Sequence, residues 1–219
     1  MTTTTKHFAA AGALLLAVLA VYAFAYPLLP DRIPIHWTAN GSVNGYGPRY
    51  VLLLLGPGLM LAEMLLFGVL PKLSPKRFDM DGFMPTYLYL MLVLVALSAY
   101  LFGTLLWAAL VGPEDMHRVV LGGVAVLFVL IGNVMGKVRR NFFIGVRTPW
   151  TLASERVWYS THRMAAKTWV AGGLLCLLWL LLNLPAWGSV ALVSAAALLP
   201  VAYSLVYYKR LEKRGELEG

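Results

Sequence analysis

Six separate runs of predominantly apolar residues, at 8–29, 51–70, 86–111, 119–136, 168–184 and 189–208, leave this chain few folds to choose from. A helix needs about 20 such residues to cross the hydrocarbon core of a bilayer, and it must satisfy every backbone amide within itself. Hydrophobic residues make up 60% of the chain and charged residues 13%, well beyond the roughly 45–50% apolar share of a soluble domain. The spacing predicts an all-α membrane protein, a single bundle of six transmembrane helices over residues 1–219.

Orientation follows from the basic residues, because Lys and Arg are retained on the cytoplasmic side. With the N-terminus inside, the inner segments carry Lys6, then Lys72, Lys76 and Arg77, then the seven cations from Lys137 to Lys167, then Lys209, Arg210, Lys213 and Arg214. Only Arg32, Arg49 and Arg118 are left for the outer loops, so both termini are expected in the cytoplasm. The start, Lys6 followed by an apolar run with Ala23-Phe24-Ala25 near its end, imitates a cleavable leader but is too long for one; it reads as an uncleaved span.

The net charge of +8 would suggest nucleic acid in a soluble protein; in a membrane protein the anionic lipid of the inner leaflet is the expected partner, and nucleic acid is not. Cys176 is the single cysteine, so no intramolecular disulfide can form. Nothing matches a metal-ligand spacing, His-Glu-x-x-His, Gly-x-Ser-x-Gly or a P-loop, and the sequence names no metal, no cofactor and no reaction class.

Two loops are too elaborate to be connectors. The outer loop, 30–50, contains Asn40-Gly41 and Asn44-Gly45, turn dipeptides that predict a compact turn or short hairpin between Ile33 and Tyr46. A lone hairpin is marginal in water and must rest on helices or the membrane surface, for which Trp37, Tyr46 and Tyr50 are suited. His36 is a candidate ligand or acid-base group, but with only Asp31 nearby, packing is its simpler role.

The inner loop and helix, 137–167, read KVRRNFFIGVRTPWTLASERVWYSTHRMAAK. Thr148-Pro149 sets a corner, and Ser154 caps an interfacial amphipathic helix before the fifth span, with Glu155 in its first turn. Arg156, Ser160, Arg163 and Lys167 recur at helical spacing as one polar stripe; Trp158, His162, Ala165 and Trp169 form another. Such a helix can lie in the interface with its cations on lipid phosphates, or turn Arg147, His162 and Arg163 inward as a polar site.

Within the spans, Glu63 is an acid that must be neutral, paired or facing water, and Arg139, Arg140 or Arg147 is its expected partner. Asn133 and Asn183 suit interhelical hydrogen bonds, and Gly132-x-x-x-Gly136 a close helix contact. Gly56-Pro57-Gly58 and Pro200 are expected to kink the second and sixth spans.

Taken together the loops resemble a known family. LPDRIPIHWTANGSVNGYG resembles the L-P-x-x-I-P-x-H-W-x-x-x-G-x-x-x-G-Y pattern of an N-terminal membrane domain of unknown function, over about residues 12 to 60. GNVMGKVRRNFFIGVRTPWTLASERVWYSTHR is similar to the signature of the SdpI-like family of bacterial multi-pass membrane proteins, over about 120 to 200. Arg140 departs from that signature, where a proline is more usual. The resemblance implies a protein of the bacterial cytoplasmic membrane that gives immunity to a secreted antibacterial (SDP-type) peptide and takes part in signal transduction. It also points to Asn133, Asn141, Arg147, Thr148, Pro149, Trp150, His162, His36 and Trp37 as motif positions. Two other readings of the residues stay open: a small membrane enzyme or transporter with a polar site around Glu63, Arg147 and His162, and a basic inner surface that recruits a cytoplasmic regulator.

Overall fold

The computed structural model describes residues 2–38, 41–75, 80–112 and 115–217; Asn40, Lys76 and Arg77 of the readings above lie outside them. Among the described residues six helices are long and apolar enough to cross a membrane: span 1 Thr3–Leu28, span 2 Val51–Leu73, span 3 Asp81–Leu110, span 4 Met116–Met135, span 5 Glu155–Leu181 and span 6 Ala186–Arg214. Their large apolar side chains stay outside: Phe24 is 80% exposed, Leu181 76% and Leu16 68%. A protein in water buries such groups, so the surrounding solvent of these helices is hydrocarbon.

The six expected spans are all present; five of them start earlier than the apolar windows, spans 2 and 6 end later, and the other four end one to three residues sooner. Span 5 differs most. The expected interfacial helix and the fifth span are one continuous helix from Glu155, about 40 Å long at 1.5 Å per residue. Span 6 likewise continues through Pro200 and the charged residues to Arg214, where Gly215 at φ 67° stops it in the left-handed conformation that favours glycine. In span 2 the Gly56-Pro57-Gly58 break takes the form of a π-helical turn over Leu54–Gly58, which absorbs the missing proline N–H. Gly56 is required there, since a Cβ would overlap the Phe102 ring.

The chain divides into two compact units, Met1–Gly68 with Leu88–Val124, and Val69–Tyr87 with Ala125–Gly219. The first holds span 1 and a two-stranded antiparallel sheet, β1 Arg32–Trp37 and β2 Val43–Pro48. The hairpin is as expected, but Asn44-Gly45 lies inside β2 rather than in the turn. Pairing runs Pro34 with Tyr46, His36 with Gly45 and Trp37 with Val43, so Ile35 and Asn44 are each bulged out of the ladder. Arg49 ties down the hairpin base. It bonds to the Leu29 carbonyl at 3.2 Å, pairs with Asp31 at 3.7 Å and stacks over Tyr26 at 4.5 Å.

The second unit is built around spans 5 and 6. Gly172 lets Ala196 of span 6 approach so closely that a Cβ would overlap it, and Gly173 does the same against the Ala125 carbonyl. Of the expected Gly132-x-x-x-Gly136 face only Gly132 is a contact, crowded by Trp169 and Val170; Gly136 faces open space. Asn133 is exposed. Asn183 lies just beyond the end of span 5 in the left-handed conformation, at φ 55°, where the helix stops.

Candidate functional site

The motif loop of the second unit is shaped by one amide. Asn141 is fully buried, and its Oδ1 accepts the N–H groups of Phe143 at 2.8 Å and Ile144 at 2.7 Å. Its Nδ2 donates to the carbonyls of Arg139 at 2.9 Å and Ile144 at 3.0 Å. An asparagine has two acceptor sites and two donors, and all four are used. Asp lacks the donors and Gln is one methylene too long, so this turn calls for asparagine.

His162 closes the same loop from span 5. The Val146 N–H donates to Nε2 at 3.1 Å, so that nitrogen is the acceptor. Nδ1 then carries the proton and donates to the Trp158 carbonyl at 2.8 Å. Both ring nitrogens are engaged, the ring is fully buried, and it stacks on Trp158 with centroids 4.0 Å apart. Gly145, at φ 107°, is the residue that makes room: a Cβ there would overlap the imidazole. Trp158, also fully buried, donates its indole N–H to the Val138 carbonyl at 2.8 Å. His162 is thus a structural member of the loop, which removes it as a free acid, base or ligand.

The expected corner at Thr148-Pro149-Trp150 is a short helix, Pro149–Ala153, started by a reciprocal cap. The Thr151 N–H donates to Thr148 Oγ1 at 3.2 Å, and the Thr148 N–H to Thr151 Oγ1 at 2.9 Å. Pro149 sits at the first helical position, where its missing N–H costs nothing. Thr151 Oγ1 also reaches the Val146 carbonyl at 2.8 Å, and Thr148 Oγ1 lies 3.1 Å from Ser204 Oγ of span 6. Ser154 then caps span 5, as its sequence position predicts. Thr161 is the exception in this network: its hydroxyl is buried with no partner.

The loop leaves Lys137, Arg139, Phe142, Arg147, Pro149 and part of Trp150 outside. Arg147 is exposed and its guanidinium donates to the Phe142 carbonyl of the same loop. Phe142 itself is 49% exposed. Arg139 packs its guanidinium against Gly82. Arg140, read from the sequence as a topology determinant, is structural. It pairs with Glu155 at 3.4 Å and bonds to the Leu152 carbonyl at 3.4 Å, holding the loop start to the beginning of span 5.

The two stripes of span 5 separate as the spacing predicts. Arg156, Arg163 and Lys167 are exposed, while Trp158, His162 and Ala165 are fully buried. Arg156 pairs with Glu216 at 3.0 Å; Arg163 and Lys167 have no ion pair among the described residues.

In the first unit, Glu63 accepts a hydrogen bond from Ser98 Oγ at 2.9 Å, and its other oxygen is buried without a partner. The expected loop-arginine partner is replaced by this hydroxyl, a residue that sequence reasoning missed although Ser98 was visible as a polar residue in an apolar run. His36 is bonded through Nδ1 to the Asn44 side chain, across the two bulges. Its partner is a neutral amide, which suits a locking contact and not acid-base chemistry. Trp37 is half-buried, and its indole N–H has no acceptor among the described residues. Among the described residues no group of three or more His, Cys, Asp or Glu is placed to hold a metal ion.

Comparison with known proteins follows the division into units. Residues 13–61, in the first unit, match a domain of unknown function (DUF1648). Residues 137–208, in the second, match the SdpI/YfhL protein family. The immunity protein SdpI of Bacillus subtilis (strain 168) is 30% identical over 150 residues, covering 68% of this chain and 69% of that protein. No solved structure matches. Six apolar spans, the motif loop with its internal hydrogen bonds, and a similarity that covers two thirds of both chains lead to one assignment: this multi-pass membrane protein belongs to the SdpI/YfhL family.

Proposed function

We propose that the chain is an immunity protein of the bacterial cytoplasmic membrane, protecting its cell from a secreted antibacterial peptide of the SDP type. The observation that carries this reading is the 30% identity to the immunity protein SdpI, which covers 150 residues. The charge distribution supports a topology with both termini inside, the hairpin outside and the motif loop at the cytoplasmic face. On that topology the aromatic hairpin meets the peptide first.

The motif loop then has a different task. Its buried polar residues hold a rigid surface, and Arg147 is the charged group presented beside the Thr148-Pro149-Trp150 corner. Arg147 and Trp150 are assigned the contact with a phosphate or a protein partner on the inner side. Signal transduction through a cytoplasmic regulator is supported by Arg163 and Lys167, two exposed cations on the outward stripe of span 5 that have no ion pair among the described residues. Membrane lipid phosphates fit the same stripe.

The test is a challenge assay. A sensitive bacterium expressing the chain is expected to survive an SDP-type peptide that kills the unprotected strain, and the Arg147→Gln variant to lose protection at equal protein level. Killing of the expressing strain at full expression contradicts the immunity reading, and full protection by Arg147→Gln contradicts the role given to Arg147.

A further inference from the structure

Trp37, the last residue of β1, forms one wall of a cavity of about 180 Å³ in the first unit. The other walls come from Leu55 and Leu59 of span 2, Thr104 of span 3, and Met116 and Val120 of span 4. The lining is almost wholly apolar, and the Thr104 hydroxyl is already spent on the Tyr100 carbonyl at 2.9 Å. The Trp37 indole N–H is buried and has no acceptor among the described residues. Buried indole N–H groups ordinarily find a partner, so a donor left over beside an apolar cavity marks a place where an acceptor can be received.

The strand chemistry delivers Trp37 to this place by a costly route. Bulges at Ile35 and Asn44 flank the His36–Gly45 pair, and the His36 side chain bonds to that of the bulged Asn44. Bulges re-aim the side chains that follow, and here the next residue is Trp37. Gly45 is required by the same arrangement, since a Cβ on it would press on His36 Cβ at 2.9 Å.

Size identifies the occupant. An apolar cavity of about 150 Å³ stays dry and takes up a benzene ring, whereas sites for drug-sized molecules run to roughly 300–1,000 Å³. A cavity of about 180 Å³ therefore has room for one large apolar side chain. The unused donor matches the backbone carbonyl that accompanies a peptide side chain. We propose that this cavity is the anchor site for a single side chain of Phe or Leu size from an extracellular peptide, whose adjoining carbonyl accepts the Trp37 indole N–H. The proposal rests on the immunity reading and names the chemistry by which the peptide is held.

The experiment uses the full chain in lipid nanodiscs, labelled at the methionine methyl groups, with Met116 as the reporter in the cavity wall. N-acetyl-phenylalaninamide and N-acetyl-leucinamide are expected to shift the Met116 signal saturably, and N-acetyl-alaninamide to leave it in place. Trp37→Phe keeps the ring and removes the N–H, and is expected to weaken binding about three- to tenfold. Val120→Phe fills the cavity and is expected to abolish the shift, with the other methionine signals reporting an intact fold. Absence of any shift overturns the proposal, as does a shift unaffected by both substitutions. A Met116 signal that follows lipid acyl length without the amides assigns the cavity to lipid and overturns it too. Amide binding in a chain that fails the challenge assay keeps the cavity and removes its physiological peptide; protection without amide binding does the reverse.

Discussion

In the motif loop from Lys137 to Ser154 the polar side chains that are buried find their hydrogen-bond partners within the loop or on the adjoining spans 5 and 6, whereas beside the hairpin from Arg32 to Pro48 a buried donor is left over among the described residues. Asn141 uses all four of its hydrogen-bonding sites, and His162 both of its nitrogens. Trp37 keeps an indole N–H without an acceptor next to a cavity. The two regions carry equally distinctive sequence signatures, so a distinctive signature is not by itself a sign of a ligand. In the loop it records the chemistry needed to fold the chain from Lys137 to Ser154, with its one short helix, against span 5. Beside the hairpin it records an unfilled hydrogen-bonding requirement.

The sharpest way to break this contrast is Asn141→Asp, which keeps the shape and turns two donors into an acceptor facing the Arg139 and Ile144 carbonyls. A cost of about 4 kcal/mol is expected, that of a buried charge without compensation, read as loss of folded protein and a large fall in melting temperature. Gly145→Ala comes next. It combines a left-handed φ with overlap on the His162 ring, and an expected cost of about 3 kcal/mol is measured by thermal unfolding in detergent. Thr151→Val removes one hydroxyl from the reciprocal cap and is expected to cost about 1–2 kcal/mol by the same measurement. On the hairpin, Asn44→Ala loses an exposed bond to His36, and less than about 1 kcal/mol is expected; its effect belongs in peptide binding, through the position of Trp37. If Asn44→Ala destabilises the chain more than Thr151→Val, the division between a self-satisfied loop and a receptive hairpin is wrong.

Much of the fold was legible because it depends on local quantities. Six apolar runs of spanning length specify six helices, and turn dipeptides with β-prone neighbours specify the hairpin. Helix ends were less legible. The turns from Thr3 and from Glu155, and the tail to Arg214, are polar, and hydropathy does not register a helix that leaves the hydrocarbon. Within the site, Ser154 and the stripes of span 5 followed from spacing, since both are set within one helix. The partners of Trp158, Thr148 and Glu63, namely Val138, Ser204 and Ser98, lie 20, 56 and 35 residues away, and nothing local encodes such pairings. The exchange of roles between Arg140 and His162 has the same origin. His162 looked chemical because its type is versatile, and Arg140 looked like a topology signal because its neighbours are basic.

The claim that joins these observations is that the motif loop is a rigid support and Arg147 is what it presents. Measuring melting temperature and survival under peptide challenge for Arg147→Gln and Thr151→Val in parallel tests it directly. Arg147→Gln removes only an exposed bond to the Phe142 carbonyl, so stability is expected to stay within about 1 kcal/mol of the unchanged chain while protection is lost. Thr151→Val is expected to lower stability and to lose protection only in proportion to folded protein. An Arg147→Gln variant that protects fully, or that is destabilised as much as Thr151→Val, contradicts the account.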